Sequence, residues 1–319
     1  MGELVGVIGA SGYAGALAAQ LIDRHPHFEL AYATARAEAG QRLSDLHPRT
    51  RVDMTLTDFD AEVPVDAAVV AYPHGAAAPT VAALRERGVR VIDLSADFRL
   101  GDRGTYERFY GEHGAPELFG SAVYGLPELN RDDLRGADLV AGPGCYPTAA
   151  LLALTPLELD GEPVVIDAKS GVSGAGRAAT DGTHFVTVNE DLKPYKVNQH
   201  RHRPEIEEQL GTRVVFQPHL VPMSHGELVS CYVIGGADDA ADRIRAAYAD
   251  EPFVEVLDGR PPGVLEVRET NGCRISVHTD GESTIVFAAI DNLWKGTASQ
   301  AVQSLNLMCG RPETEGLSA

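Results

Sequence analysis

Leu4-Val-Gly-Val-Ile-Gly9-Ala-Ser-Gly12-Tyr-Ala-Gly15 decides the fold: a short apolar run rich in β-branched residues meets a glycine-rich turn, and Ala16-Leu-Ala-Ala-Gln-Leu-Ile22 follows at helical spacing. This reads as strand, loop and helix. Phe28 to Ala33, Val65 to Ala71 and Val89 to Leu94 read as further strands, with a helix over Ala77 to Arg87. Strands alternating with helices over residues 1–145 imply βαβ units and a parallel sheet. After Leu139-Val-Ala-Gly-Pro-Gly-Cys-Tyr-Pro147 the pattern changes. Val164 to Ala168, Val214 to Gln217, Glu227 to Ile234, Arg274 to His278 and Ser283 to Ala289 are longer strands with fewer helices between them. The expected class is α/β, with a Rossmann-type dinucleotide-binding domain and an α+β second domain whose sheet is mixed or antiparallel.

The three glycines match G-x-x-G-x-x-G, which allows a tight turn and presents a helix N-terminus to a pyrophosphate. Gly9, Ser11, Gly12, Tyr13, Ala14 and Gly15 are therefore candidate cofactor contacts. A free 2′-hydroxyl ordinarily meets an acidic residue about 20 residues on, a 2′-phosphate an arginine. Here the end of the second strand carries Thr34-Ala35-Arg36, which favours NADP(H), with Arg36 on the 2′-phosphate and Thr34 donating its hydroxyl.

Gly142-Pro-Gly-Cys145-Tyr-Pro places a thiol at the start of an apolar helix, where the dipole and free N–H groups stabilise a thiolate. Cys231, Cys273 and Cys309 lie inside apolar segments and read as structural. His200-Arg-His202-Arg-Pro-Glu precedes a helix expected to begin at Pro204. On an extended backbone its two imidazoles would face opposite ways, one to the thiol and one to a substrate carboxylate. Asp93-Leu-Ser-Ala-Asp-Phe-Arg99 and Ser170-Gly-Val-Ser173-Gly-Ala-Gly-Arg177 supply hydroxyls, backbone donors and two guanidiniums for an anion; an internal pairing of Arg99 with Asp97 or Asp93 is the alternative. A zinc site built on His200 and His202 with His219 or His225 lacks carboxylate or thiolate partners at ligand spacing, so no metal is expected.

The chain of 319 residues has 27 Lys+Arg against 46 Asp+Glu, a formal charge of −19, which argues against nucleic acid as a partner. No apolar run approaches the ~18 residues of a membrane span, no signal peptide is evident, and four cysteines without close spacing fit a reducing cytoplasm.

In combination these segments resemble the N-acetyl-gamma-glutamyl-phosphate reductases of arginine biosynthesis. The resemblance runs through residues 9–15, 93–99, 142–148, 170–177 and 200–206, and also through Val123-Tyr-Gly-Leu-Pro-Glu-Leu129 and Asp291-Asn-Leu-Trp-Lys-Gly296. It implies a cofactor domain of residues 1–145 completed by 291–319, and a substrate and oligomerisation domain of 146–290. It also implies a homo-oligomer, a dimer or tetramer, acting on a small acyl phosphate. Cys145 would be the nucleophile, His202 the acid/base, His200 or Arg99 the holder of carboxylate or phosphate, and Asn292 a neighbour of the nicotinamide. His225 departs mildly from relatives that often carry Arg there. Two alternatives stand beside this reading: the same chemistry on a carrier-protein-linked glutamyl or aminoadipyl phosphate, and a non-catalytic NADP-sensing protein.

Overall fold

The computed structural model describes residues 2–159, 161–235, 238–279 and 281–319. The chain divides into two compact units, Met1–Pro143 with Thr297–Ser318, and Gly144–Gly296 with Ala319. Compared with the sequence expectation, Gly144, Cys145, Asp291–Gly296 and Ala319 fall in the second unit. The reason is local: a Cβ on Gly296 would lie 2.8 Å from Cys145 Cβ, and Gly296 N–H donates to Asp291 O at 2.9 Å.

The first unit is built on six strands: β1 (Glu3–Ile8), β2 (Phe28–Thr34), β3 (Ala67–Val70), β4 (Arg90–Asp93), β5 (Val123–Tyr124) and β6 (Leu139–Ala141). All neighbours pair in parallel in the order β2-β1-β3-β4-β6-β5. A parallel sheet is covered on both faces, so its inner strands need apolar side chains throughout. Val5, Val7, Ile8, Val69, Val70, Val91 and Ile92 are accordingly all buried. The order reverses between β1 and β3, and the carboxyl ends of strands at such a point form the crevice where ligands bind.

The C-terminal helix Ser299–Met308 packs on the helices Tyr13–Asp23 and Pro127–Leu134 and on β4. All ten of its residues are buried, polar ones included. Partners from the following segment hold two of those polar side chains: Gln303 donates to Glu313, which also receives Arg131 at 2.8 Å, and Asn306 Nδ2 donates to the Glu313 and Glu315 carbonyls. Arg311 closes the unit with an ion pair to Glu3 at 2.9 Å.

The second unit holds β7 (Val164–Gly171), β8 (Lys193–Pro194), β9 (Val214–Val221), β10 (Glu227–Ile234), β11 (Val254–Val256), β12 (Cys273–Thr279) and β13 (Ser283–Ile290). Their order is β11-β12-β13-β10-β7-β9-β8. The sheet is mixed, with β7 and β9 parallel, β11 and β12 parallel, and the remaining neighbours antiparallel. The helix Cys145–Leu154 lies on β10 and β13. Every residue after Cys145 in that helix is buried, as its all-round apolar sequence requires. Among the described residues no helix is long and apolar enough to cross a membrane.

Candidate active site

In the first unit the glycine loop is held by Thr34. Its carbonyl accepts from Gly9 N–H and Ala10 N–H at 3.1 and 2.8 Å, and its hydroxyl oxygen accepts from Gly9 N–H at 3.3 Å. Thr34 is wholly buried, so its side chain braces the turn and is not presented as the surface donor expected from the sequence. Ala35 is buried as well. Gly15 is dictated by close approach: a Cβ there would stand 2.3 Å from Gly9 O. Gly12 caps the helix Tyr13–Asp23 with no side-chain hydrogen bond, and N–H groups of a first helical turn that lack a cap suit an anion. Ser11 O meets His47 Nε2 at 2.9 Å, and the His47 ring lies edge-on to Tyr13, fixing the far wall of the loop. Arg36 is exposed above Tyr72, its guanidinium carbon 4.4 Å from the ring centroid. The stack holds a cation ready at the end of β2 beside the glycine loop.

Arg99 is buried, with Nε donating to Gly142 O at 2.7 Å and Nη2 to Leu94 O at 2.8 Å. It ties the chain after β4 to the chain after β6. Neither of the carboxylates considered from the sequence provides these bonds. Asp97 instead accepts from Gly75, Ala77 and Ala78 N–H and from the Tyr106 hydroxyl.

In the second unit Cys145 opens its helix behind Gly144, which has extended backbone and no side-chain cap. Gly144 N–H donates to Glu205 Oε1 at 2.9 Å, so a buried carboxylate from another helix anchors the turn. The His202 ring lies against Gly144 with its Nε2 edge nearest: a Cβ there would be 2.6 Å from Nε2. Any side chain at 144 would therefore drive the imidazole away from the thiol's own turn.

The two histidines do not diverge. Arg201 is helical (φ −66°, ψ −19°), the helix begins at His202 and not at Pro204, and the His200 and His202 rings meet edge to face at 4.8 Å. His200 Nδ1 accepts from His202 N–H at 3.2 Å, and its ring packs among Tyr146, Tyr195 and Phe216. His200 is thus the wall that aims His202.

Ser170 is buried and donates to Gly171 O, while Ser173 Oγ accepts from Asn292 Nδ2 at 3.0 Å. Asn292 Oδ1 receives Gly226 N–H, so this amide clips the Ser-Gly segment to the turn before β10. Arg177 is exposed on the same segment. His225 pairs with Asp291 at 2.6 Å, and that carboxylate also caps Leu293 and Glu269 N–H. Among the described residues no three His, Cys, Asp or Glu are arranged to hold a metal ion.

A helix N-terminus alone stabilises a thiolate by about 0.3–1 kcal/mol, less than one pKa unit at ~1.4 kcal/mol per unit. That is too little to ionise an ordinary thiol near neutrality, so the site needs a proton acceptor. Two of the other thiols are less acidic than an ordinary one: burial pushes Cys231 far up and Cys309 up to about 12.

A family described as semialdehyde dehydrogenase, NAD binding domain, matches residues 4–137, and one described as semialdehyde dehydrogenase, dimerisation domain, matches 145–292. The N-acetyl-gamma-glutamyl-phosphate reductase of Pelotomaculum thermopropionicum is 45% identical over 100% of this chain and 98% of its own length. That of Dehalococcoides mccartyi strain CBDB1 is 47% identical over 98% of this chain and 97% of its own. Among solved structures, aspartate semialdehyde dehydrogenase II of Vibrio cholerae matches with a TM-score of 0.75 at 18% identity, covering 97% of this chain and 99% of that one. This last likeness is one of fold.

Proposed function

Since the chain belongs to the N-acetyl-gamma-glutamyl-phosphate reductases, NADP-dependent oxidoreductases of arginine biosynthesis, we propose how its own residues reduce N-acetyl-L-glutamyl 5-phosphate to the 5-semialdehyde with release of phosphate. The carrier-linked and non-catalytic alternatives are not needed. One observation carries the assignment of roles: a thiol at an uncapped helix N-terminus, with an imidazole pressed onto the glycine before it.

Cys145 attacks the acyl carbon and expels phosphate, leaving a thioester; this divides one difficult reduction into two easier steps. The glycine loop suits the cofactor, because its helix is uncapped and a Cβ on Gly12 would meet nothing closer than 3.7 Å. Gly9, Ser11, Gly12, Tyr13, Ala14 and Gly15 would hold the pyrophosphate, with Ala35 and Arg36 at the 2′-phosphate end and Asn292 shaping the nicotinamide side. The chemistry that NADPH would supply when held there is a hydride for the thioester carbon. His202 protonates the oxygen of the resulting thiohemiacetal and later takes that proton back as the aldehyde forms. Ser170, Ser173 and Arg177 form the substrate's anion-binding segment. Arg99 and His200 act within their own units, Arg99 by donating to the Gly142 and Leu94 carbonyls and His200 by accepting from His202 N–H.

Phe185, Val186, Leu192 and Val197 are exposed at 74, 77, 58 and 54% on the segment between β7 and the helix at His202. We assign this apolar surface to a homo-oligomer, dimer or tetramer, in keeping with the dimerisation family matched there. The cytoplasm is the proposed compartment.

The test is the reverse reaction: N-acetyl-glutamate 5-semialdehyde should reduce NADP⁺ only when phosphate is present. A folded protein that binds NADPH and shows no such turnover would remove the substrate assignment. Arg36→Ala should raise KM for NADPH about tenfold to a hundredfold, the worth of a charge-assisted bond, and leave KM for NADH unchanged. Equal losses with both cofactors would show that Arg36 does not meet the 2′-phosphate.

A further inference from the structure

Glu227 opens β10, opposite Ser170 of β7 and Ile290 of β13. It is 0% exposed, at the head of a strand whose other inward positions, Val229, Cys231 and Val233, are apolar. Among the described residues neither carboxyl oxygen receives a well-formed hydrogen bond. The groups within reach are the Cys145 thiol and the Ser170 hydroxyl, and the latter donates to Gly171 O. A buried carboxyl without firm partners is costly to maintain, and such groups concentrate where chemistry uses them.

The surroundings set its proton affinity. Burial, reinforced by the negative charge of Asp291, pushes the Glu227 carboxyl up to about 8. The Tyr146 and Tyr195 phenols interact with both the thiol and the carboxyl and are themselves driven far up by burial, so they stay neutral. Asp291 is paired with His225. A carboxyl in this range lies close to an ordinary thiol at about 8.5, so a proton passes between the two with little change in free energy.

We propose that Glu227 is a catalytic residue that accepts the Cys145 proton, a task separate from that of His202, which serves the substrate oxygen. The proposal rests on the thioester chemistry given above. With Glu227 in its ionised form, the S–H bond breaks as sulfur attacks, the proton goes to a Glu227 oxygen and the electron pair forms the S–C bond. The C–O bond to phosphate breaks with its pair on phosphate, which takes its own proton from solvent. When the thiohemiacetal collapses, the C–S pair returns to sulfur and Glu227 gives its proton back.

A thiol and carboxyl that share one proton titrate as a pair in two separated steps. Alkylation of Cys145 by iodoacetamide, followed by peptide mass spectrometry between about pH 6 and pH 10, reads this in the wild type without any acyl substrate. The expected rate rises, flattens over a broad interval and rises again, whereas Glu227→Gln follows a single thiol titration. The phosphate-dependent reduction of NADP⁺ by Glu227→Gln should fall about 100-fold or more, within the usual range for a lost general base, with NADPH affinity unchanged. A single-step wild-type curve, superposable wild-type and Glu227→Gln curves, or a Glu227→Gln rate within about threefold of wild type overturns the proposal. A two-step curve in a protein that turns over no acetylated substrate leaves the pair standing and removes the substrate reading instead.

Discussion

Cys145→Ser is expected to lose phosphate-dependent reduction of NADP⁺ by about three orders of magnitude or more while binding NADPH as the wild type does. The exchange keeps nearly the same shape and swaps a readily ionised thiol for an alcohol. The helix N-terminus cannot compensate, because its contribution of about 0.3–1 kcal/mol is small against the difference in acidity between the two groups. The fold should be unaffected, since Cys145 sits only partly buried at the mouth of its helix and Ser is tolerated at a first helical position. Initial rates and a fluorescence titration of NADPH on the same preparation separate the two effects. Retention of even a tenth of the wild-type rate would rule out sulfur as the nucleophile.

Gly15→Ala should damage the first unit itself. The added methyl would stand 2.3 Å from Gly9 O and 2.9 Å from Ala10 Cα, both backbone atoms that cannot rotate away. The helix must therefore shift off the loop, at a cost of about 1–3 kcal/mol by the usual measure of overpacking, and NADPH affinity should fall about tenfold to a hundredfold with it. Gly12→Ala is the informative control. Its Cβ meets nothing closer than 3.7 Å and its φ of −79° suits any residue, so the melting temperature should hold within a few degrees. The new methyl would still obstruct a phosphate lying against the backbone, and affinity should drop. Wild-type NADPH affinity in Gly12→Ala would show that the pyrophosphate does not lie on this turn.

What could be read from the sequence was what is written locally. Gly9 to Gly15 and the Gly-Pro-Gly before Cys145 carry their geometry in consecutive residues, and the long strands Glu227–Ile234 and Ser283–Ile290 announce themselves by apolar runs. The two-residue strands Val123–Tyr124 and Lys193–Pro194 have no such period to detect. The His200 and His202 directions differ from an extended reading because Arg201 is helical and the helix starts at His202, two residues before Pro204. Thr34 and Arg99 lay in the right places, but their burial and backbone partners belong to tertiary structure. Glu205 had a signal, three residues after His202 on the same helix face. Glu227 had a fainter one, a lone carboxylate at the head of an apolar strand, whose meaning depends on what β10 is packed against.

The ion pair of Arg311 with Glu3, and the burial of Ser299–Met308 against the first helix, bear on how the chain is made in the cell. Apart from Ala319, the second unit occupies one uninterrupted stretch, 144–296, and has nearly all of its partners once that stretch has left the ribosome. The first unit, begun earliest, lacks a helix of its own core until residues 297–318 have been synthesised. Its nascent β1 and its glycine loop must wait with apolar surface uncovered, and during that interval the unit made first of the two is the one most in need of protection from aggregation.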